Sequence, residues 1–413
     1  MSGFFTSLTW TDKVRSSFPL VAQCGACGLY KRCRNSKLPV RGDGDRKILL
    51  VSSGPSKNDD LNGKFSVHPL VKNILKENSV DVQKDCWTTN AIICRASEAN
   101  GSDRNPTDVE VSHCRPNLIR TVEELKPEMI ILLGGSAIKS VLGWLWKESV
   151  GNIERWDGWR IPAQRINAWI CPTWDPVFVA KRSEENRNRS GNVAETLLKR
   201  HLKAAAELEG RPWVKVPNLA AKVRVEKDCS EAAKVVRAIT AAGLPSAFDY
   251  ETNTLKPDPS WAEIVTCSVS NGKDTVAYPW YGEAIKATRE FLVSPIPKIA
   301  SNKKFEERWT LKVFGHPVNN WGLCTMQSAH SLDNRQGISS IKFQGFVRLG
   351  QDLWDGDVKP FLISSAPNTP NRIKELVANV SGLNKLLLYN GLDSLVELKV
   401  AKQQAKELGR VLK

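Results

Sequence analysis

Phe248-Asp249-Tyr250-Glu251-Thr252 is the stretch on which the fold of the second half of this chain turns. Side chains at i and i+2 of a strand point the same way, so a strand here sets Asp249 and Glu251 on one face. A second stretch, Tyr389-Asn390-Gly391-Leu392-Asp393, spaces a phenol and a carboxylate by one helical turn, and both can then face one point. Between them, Ile299-Ala300-Ser301-Asn302-Lys303-Lys304-Phe305-Glu306 offers a further acid, Glu306. Carboxylates gathered without other charge neutralisation are costly unless cations sit among them, and hard oxygen ligands suit Mg²⁺ or Mn²⁺. A pair of such ions can clamp the attacking and leaving oxygens of a phosphodiester.

In this order and at these gaps, the segments resemble the motifs of DEDD-type 3′→5′ exonucleases, in particular the proofreading domain of family A DNA polymerases, over about residues 215–413. The resemblance implies an RNase H-like exonuclease domain with a mixed sheet. It implies two Mg²⁺ or Mn²⁺ held by Asp249, Glu251, Glu306 and Asp393, with Tyr389 orienting the attacking water as in the tyrosine subtype. Glu306 stands where that family has Asp, after an otherwise intact lead of Asn302 and Phe305, and its extra methylene calls for a small backbone shift to reach a metal.

With 413 residues the chain is too long for one ordinary core and predicts two or three domains. Apolar residues make up 41%, enough to exclude wholesale disorder. No run of eighteen apolar residues occurs, and the start, Met1-Ser2-Gly3-Phe4-Phe5, lacks the charged-then-apolar pattern of a signal peptide. The expectation is an intracellular protein without membrane contact, located in the cytoplasm. A formal charge of +15, spread along the chain, favours a polyanionic partner tracked by folded surfaces.

The ten cysteines are uneven: Cys24, Cys27, Cys33, Cys86, Cys94, Cys114 and Cys171 precede residue 210. In an intracellular chain they read as thiols or metal ligands rather than disulfides, and they mark off an N-terminal domain that uses them. There, Lys47–Val51, Trp87–Ile93 and Met129–Leu133 read as buried strands, with helical periodicity between them, as over Val111–Leu125. Continuous apolar strands separated by helices indicate a three-layer α/β/α domain on a parallel sheet, with ligands at the carboxyl ends of the strands.

Cys24-Gly25-Ala26-Cys27-Gly28-Leu29-Tyr30, then Cys94-Arg95 and Cys114-Arg115-Pro116 with Asn105-Pro106-Thr107 between them, resemble the family 4, iron–sulfur, uracil-DNA glycosylases over about residues 20–205. The resemblance implies a [4Fe–4S] cluster on Cys24, Cys27, Cys94 and Cys114. Zinc accepts the same four thiolates, and Cys33 is a substitute ligand. It also implies a base pocket in which Asn90 reads the uracil edge and Phe65 stacks on a flipped base. The family's catalytic positions are changed. Ser53 in Ser52-Ser53-Gly54-Pro55-Ser56 replaces a Glu, and Asp175 in Thr173-Trp174-Asp175-Pro176-Val177 replaces a His. An anionic Asp repels a departing uracil anion, and a Ser is too weak a base for the carboxylate's task. Of the 14 tryptophans, Trp144, Trp146, Trp156, Trp159, Trp169 and Trp174 cluster in this half; most are expected to fill cores, and some to stack on single-stranded bases.

Glu209-Gly210-Arg211-Pro212-Trp213 is the natural break, giving domains 1–208 and 209–413. Beyond it, Val223–Val225 and Ser246–Phe248 read as strands and Ser230–Ala242 as a helix. Ser364–Pro370 reads as an ordinary loop. Glycosylase-like, exonuclease and polymerase modules occur in series in some bacteriophage polymerases, and this chain resembles the first two. The leading expectation is therefore a 3′→5′ DNA exonuclease that proofreads for a polymerase on a separate chain. Its partners would be single-stranded 3′ ends and primer-template, in a host cytoplasm if the source is a phage. A uracil or modified-base glycosylase, or a non-catalytic template-binding scaffold, stays open beside it.

Overall fold

The computed structural model describes residues 21–185, 193–366 and 369–412. The readings of Met1–Phe5 and of Pro367-Asn368 lie outside them. The chain divides into two compact units: one reaches Val216 and takes in Gly350–Asp352, the other comprises Pro217–Leu349 and the residues from Leu353 on. The division falls after the Gly/Pro break because the segment following it is tied to the first unit. Arg211 donates to the carbonyls of Asn167 and Lys126, both at 2.9 Å, and the Trp213 indole donates to the Pro162 carbonyl at 2.8 Å.

The first unit is built on a sheet of order β2-β1-β3-β5-β4, with β1 Ile48–Ser52, β2 Cys86–Asn90, β3 Met129–Leu133, β4 Ile161–Ala163 and β5 Ala168–Thr173. The first four of these in sheet order run parallel, and β4 adds an antiparallel edge, Ile161 opposite Ile170. Every residue of β3 is buried, as a sheet covered on both faces requires. Ile48, Leu50, Ile131 and Leu133 pack with Val71, Ile74, Val179, Leu198 and Leu202 from the helices Pro69–Glu77, Pro176–Glu185 and Val193–Ala206. On the other side the helix Gly135–Leu145 packs on β1 and β3, with Asp108–Leu125 beside it. That second helix begins three residues before the expected Val111, because Thr107 and Glu110 form a reciprocal capping box. The second strand ends at Asn90 rather than Ile93, and the Ile93 carbonyl accepts instead from the Leu38 N–H at 2.8 Å.

The second unit holds a mixed sheet of order β11-β10-β7-β8-β9-β6. Its strands are β6 Arg224–Val225, β7 Ser246–Thr252, β8 Ile264–Ser270, β9 Thr275–Pro279, β10 Lys298–Ala300 and β11 Trp321–Cys324. An antiparallel meander of β7, β8 and β9 is extended by β10 and β11, each parallel to its neighbour. That strand order is the RNase H-like arrangement. Phe248 and Tyr250 point into a core with Cys267, Val269, Phe291 and Trp309. Their neighbours Asp249 and Glu251 occupy the opposite face, under the long helix Val380–Glu407. Gly391 lets that helix come close, since a Cβ there would meet Val223 Cγ1 at 2.3 Å and Ala277 Cβ at 3.3 Å. Among the described residues no helix is long and apolar enough to cross a membrane.

Candidate metal centre

Strand β7 supplies Asp249 and Glu251 two residues apart, and the long helix supplies Asp393. Ligand oxygens of these three lie within 4.8 Å of one another, and among the described residues they are the one such group of three or more His, Cys, Asp or Glu. Asn390 positions the trio. Its amide donates to Asp249 Oδ2 at 2.7 Å, while its own Oδ1 accepts from Thr266 at 3.0 Å and its carbonyl from Ser268 at 2.7 Å. Thr266 and Ser268 stand opposite Glu251 and Asp249 in the β7–β8 register, so one residue ties helix to strand pair on the acidic face. The sequence signal for it was only its place inside the Tyr389–Asp393 segment.

Burial, with the Asp393 charge second, pushes the Asp249 carboxyl up to about 8. Burial and the charges of Asp249 and Asp393 raise Glu251 well above the carboxylate range. Burial raises Asp393 too, against the lowering effect of Lys342. Tyr389 is buried beside them and hydrogen-bonds Asp393; burial and the Asp393 charge hold its phenol well above its ordinary value. The phenol therefore stays protonated and able to donate.

Two charged residues at this centre were not anticipated. Lys342 forms an ion pair with Asp393, and its ammonium lies over the rings of Trp354, at 4.1 Å, and Tyr389, at 4.3 Å. The Trp354 indole donates to Asp393 Oδ1 at 3.0 Å. Glu397, one turn beyond Asp393, is 1% exposed. The i, i+4, i+8 spacing of Tyr389, Asp393 and Glu397 would have revealed it. Glu306 lies outside the 4.8 Å trio; it is 2% exposed and its Oε2 has no hydrogen-bond partner. The charge felt most by Glu306 is that of Asp249.

In the first unit the strand ends open on a cleft of about 880 Å³ lined by Ser53, Arg104, Lys139, Trp174, Asp175 and Lys181 among others. Ser53 donates to Asp175 Oδ2 at 3.2 Å, and Asp175 Oδ1 accepts from the N–H groups of Val177 and Phe178 at 2.8 and 3.3 Å. Asp175 thus caps the helix Pro176–Glu185. Trp174 and Phe178 stack with centroids 5.6 Å apart, whereas Trp144, Trp146 and Trp156 are buried. Asn90 is buried at the end of β2 with its Oδ1 unpartnered. Phe65 lines a separate hollow of about 220 Å³ with Arg41, Lys64 and Lys72. Cys27, Cys33 and Cys114 pack around Cys94 and Leu29, and the thiols of Cys24 and Cys27 act electrostatically on Cys114. Cys33 donates instead to the carbonyls of Leu29 and Arg95, at 3.4 and 3.7 Å. Burial pushes the Cys94 thiol up to about 12 and raises Cys27 and Cys114, so a metal bound by these thiols would have to displace their protons.

Residues 39–198 match the family model of the uracil DNA glycosylase superfamily. The matched stretch lies within the first unit. The chain is 28% identical over 167 residues to the type-4 uracil-DNA glycosylase of Saccharolobus solfataricus, covering 38% of this chain and 72% of that protein. With the type-4 enzyme of Thermotoga maritima it shares 26% over 190 residues, 43% of this chain and 85% of the other. Ser53, Asn90, Cys94, Cys114 and Asp175 fall inside the matched superfamily stretch, while Cys24 and Cys27 precede it. Among solved structures, Escherichia coli RNase D, described as an exoribonuclease involved in structured RNA processing, aligns at a TM-score of 0.34 and 14% identity. That alignment covers 45% of this chain and 45% of RNase D, so the chain spans less than half of that protein. The catalytic core of RRP6 from Trypanosoma brucei aligns at 0.29 and 16%, covering 44% and 50%. The second unit is read from its own strand order and acids rather than from these slight likenesses.

Proposed function

We propose that this chain is a metal-dependent 3′→5′ exonuclease acting on DNA, with a glycosylase-like domain that has lost base excision. The observation that carries the reading is the convergence of Asp249, Glu251 and Asp393 within 4.8 Å, with Tyr389 hydrogen-bonded at their edge. Two buried carboxylates and a half-buried one around one point, with Lys342 paired to only one of them, form a hard-oxygen site. Asp249, Glu251 and Asp393 would hold one divalent cation and Asp249 with Glu306 a second. Such ions, when bound, supply Lewis-acid activation of water and neutralise charge on the leaving oxygen. The Tyr389 hydroxyl, kept protonated, orients the attacking water by donating or accepting one hydrogen bond. Asn390 fixes the Asp249 carboxylate, and burial of the acids excludes competing solvent charge.

For the first unit the hydrogen bond between Ser53 and Asp175 supports loss of excision. The two groups that replace the family's Glu and His satisfy each other and the next helix. Arg104, Lys139 and Lys181 beside stacked Trp174 and Phe178 suit a strand of DNA or an acidic partner surface. A [4Fe–4S] cluster on Cys24, Cys27, Cys94 and Cys114 fits the donor set. A single zinc would draw the sulfurs to about 3.8 Å from one another, from a metal–sulfur length of about 2.3 Å. No three of these thiols lie within 4.8 Å, a spacing that favours a larger group. The resemblance to polymerase proofreading domains supports service to a DNA polymerase, which co-purification would test.

The test is degradation of 3′-labelled single-stranded DNA, and of matched RNA, with Mg²⁺ or Mn²⁺. The wild type is expected to shorten DNA from the 3′ end while Asp249→Ala does not. Equal degradation by both proteins overturns the assignment.

A further inference from the structure

Glu397 has no place in the four-acid motif, yet it lies on the same helix face as Tyr389 and Asp393, one turn beyond the latter. It is 1% exposed, and its Oε2 has no hydrogen-bond partner. The charges acting on it come from every element around the centre: Asp249 on β7, Glu306 on the helix Lys303–Phe314, Asp393 on its own helix, and Lys342 on the helix Ile341–Leu349. Glu306 is its mirror, 2% exposed, Oε2 equally unpartnered, with Asp249 again the foremost charge. Two orphaned carboxylate oxygens thus lie near enough to Asp249 to feel its charge, outside the 4.8 Å trio.

Protonation alone leaves this arrangement unexplained. A proton on either Oε2 would have no acceptor, and a buried carboxyl group keeps a partner for each polar atom in ordinary packing. Apolar residues would fill the same volume without the desolvation cost. Lys342 is already committed to Asp393 and two aromatic rings. A hard divalent cation satisfies several carboxylate oxygens at once. We propose that Glu397 is a fifth carboxylate of the metal centre, which together with Glu306 and the shared Asp249 forms the second cation position. Glu306 would reach from its helix with one methylene more than an Asp and Glu397 from the long helix; without an ion these two and Asp249 are not gathered as closely as the 4.8 Å trio, and a cation would draw them together. This inference rests on the nuclease reading only in supposing that divalent ions belong here.

The experiment counts ions on the full chain, with Mn²⁺ followed by electron paramagnetic resonance and calorimetry, apart from any turnover. Wild type is expected to bind two Mn²⁺. The isosteric Glu397→Gln should keep the first with unchanged affinity and bind the second at least about tenfold more weakly, the low end for loss of a group supporting a metal. In EDTA it should melt no lower than wild type, and Mn²⁺ should raise its melting temperature less. Two ions bound by Glu397→Gln as tightly as by wild type overturn the proposal. If that variant does not fold, Glu397→Asp keeps the charge and shortens the arm: a weakened second ion supports the proposal and two unaltered ions overturn it. Wild type that binds two ions but leaves DNA intact sinks the nuclease reading alone. Wild type that cleaves while Glu397→Gln keeps both ions sinks this inference alone.

Discussion

The two units present opposite electrostatic states at corresponding functional positions. At the strand ends of the first, Asp175 accepts from Ser53, Val177 and Phe178, so its charge is met by hydrogen bonds within the fold. At the centre of the second, burial raises Asp249, Glu251, Glu306 and Glu397 together, and the Oε2 atoms of the last two have no partner. The first carboxylate caps a helix and is matched within the fold. A set of unsettled ones needs something from outside the chain, because each unmatched buried charge costs several kcal/mol. Chemistry is therefore expected in the second unit and recognition in the first.

The sharpest way to break that contrast is Asp249→Ala. Asp249 is held by Asn390, gathered with Glu251 and Asp393, and its charge acts on Glu306 and Glu397, so its removal should lower 3′ exonuclease rate by about 10³-fold or more, as for loss of a group acting on transition-state charge. Single-turnover degradation of labelled DNA measures it, and a loss below tenfold would mean the carboxylates are structural.

Next in size is restoration of the first unit. Ser53→Glu with Asp175→His restores the Glu and His that the family resemblance implies at these positions, and an acid–base group contributes about 10²–10⁴-fold. The double variant should release uracil from DNA at least about 10²-fold faster than wild type, read as alkali-labile sites. The exchange removes a helix cap at about 1 kcal/mol, which the fold can bear. No gain would show that the cleft itself, not only its two reactive groups, has diverged.

A pH series separates the units by stability. In the metal-free second unit the Asp249 carboxyl titrates near 8, above its unfolded range near 3.9. Between those values the folded state binds more protons than the unfolded, so this group's contribution to stability falls as pH rises. Metal binding must displace those protons and gains with pH. The rise in melting temperature on adding Mn²⁺ should therefore be larger at pH 8.5 than at pH 6.5 by several degrees, where about 1 kcal/mol shifts a domain of this size by roughly 2–4 °C. An equal rise at both pH values would remove proton linkage from the site.

How much of this was legible in the sequence differs between the units for a physical reason. Period-two and one-turn spacings are local, so Asp249, Glu251, Tyr389 and Asp393 could be assigned to one face of a strand and of a helix, and the structure gathers them. Lys342 and Trp354 reach Asp393 from segments with no local pattern, and only the tertiary fold brings them there. Glu397 was within reach of the same helical count that found Asp393. In the first unit the strands and helices followed from apolar runs, whereas the partnership of Ser53 with Asp175 spans 122 residues and no spacing rule foretells it. The unit boundary moved to Val216 because Arg211 and Trp213 hydrogen-bond backward, a choice that Gly and Pro composition does not encode.

The smallest expected effect concerns Lys342. Its ammonium occupies one side of Asp393, held by the Trp354 and Tyr389 rings, and so stands where a divalent ion would compete for the same carboxylate. Lys342→Met keeps the aliphatic length between the rings and removes the charge. Two effects then oppose each other: the competitor is gone, but protons bind the acids more firmly without a neighbouring cation, since Lys342 lowers Asp249, Glu251 and Asp393 alike. At pH 8.5, above the Asp249 titration, the first effect should win, and the first Mn²⁺ should bind about fivefold tighter, close to 1 kcal/mol. At pH 6.5 the gain should shrink or reverse. Weaker binding at both pH values would instead make Lys342 a support that holds Asp393 in place for the metal, and the ion pair would belong to the working site rather than to its metal-free state.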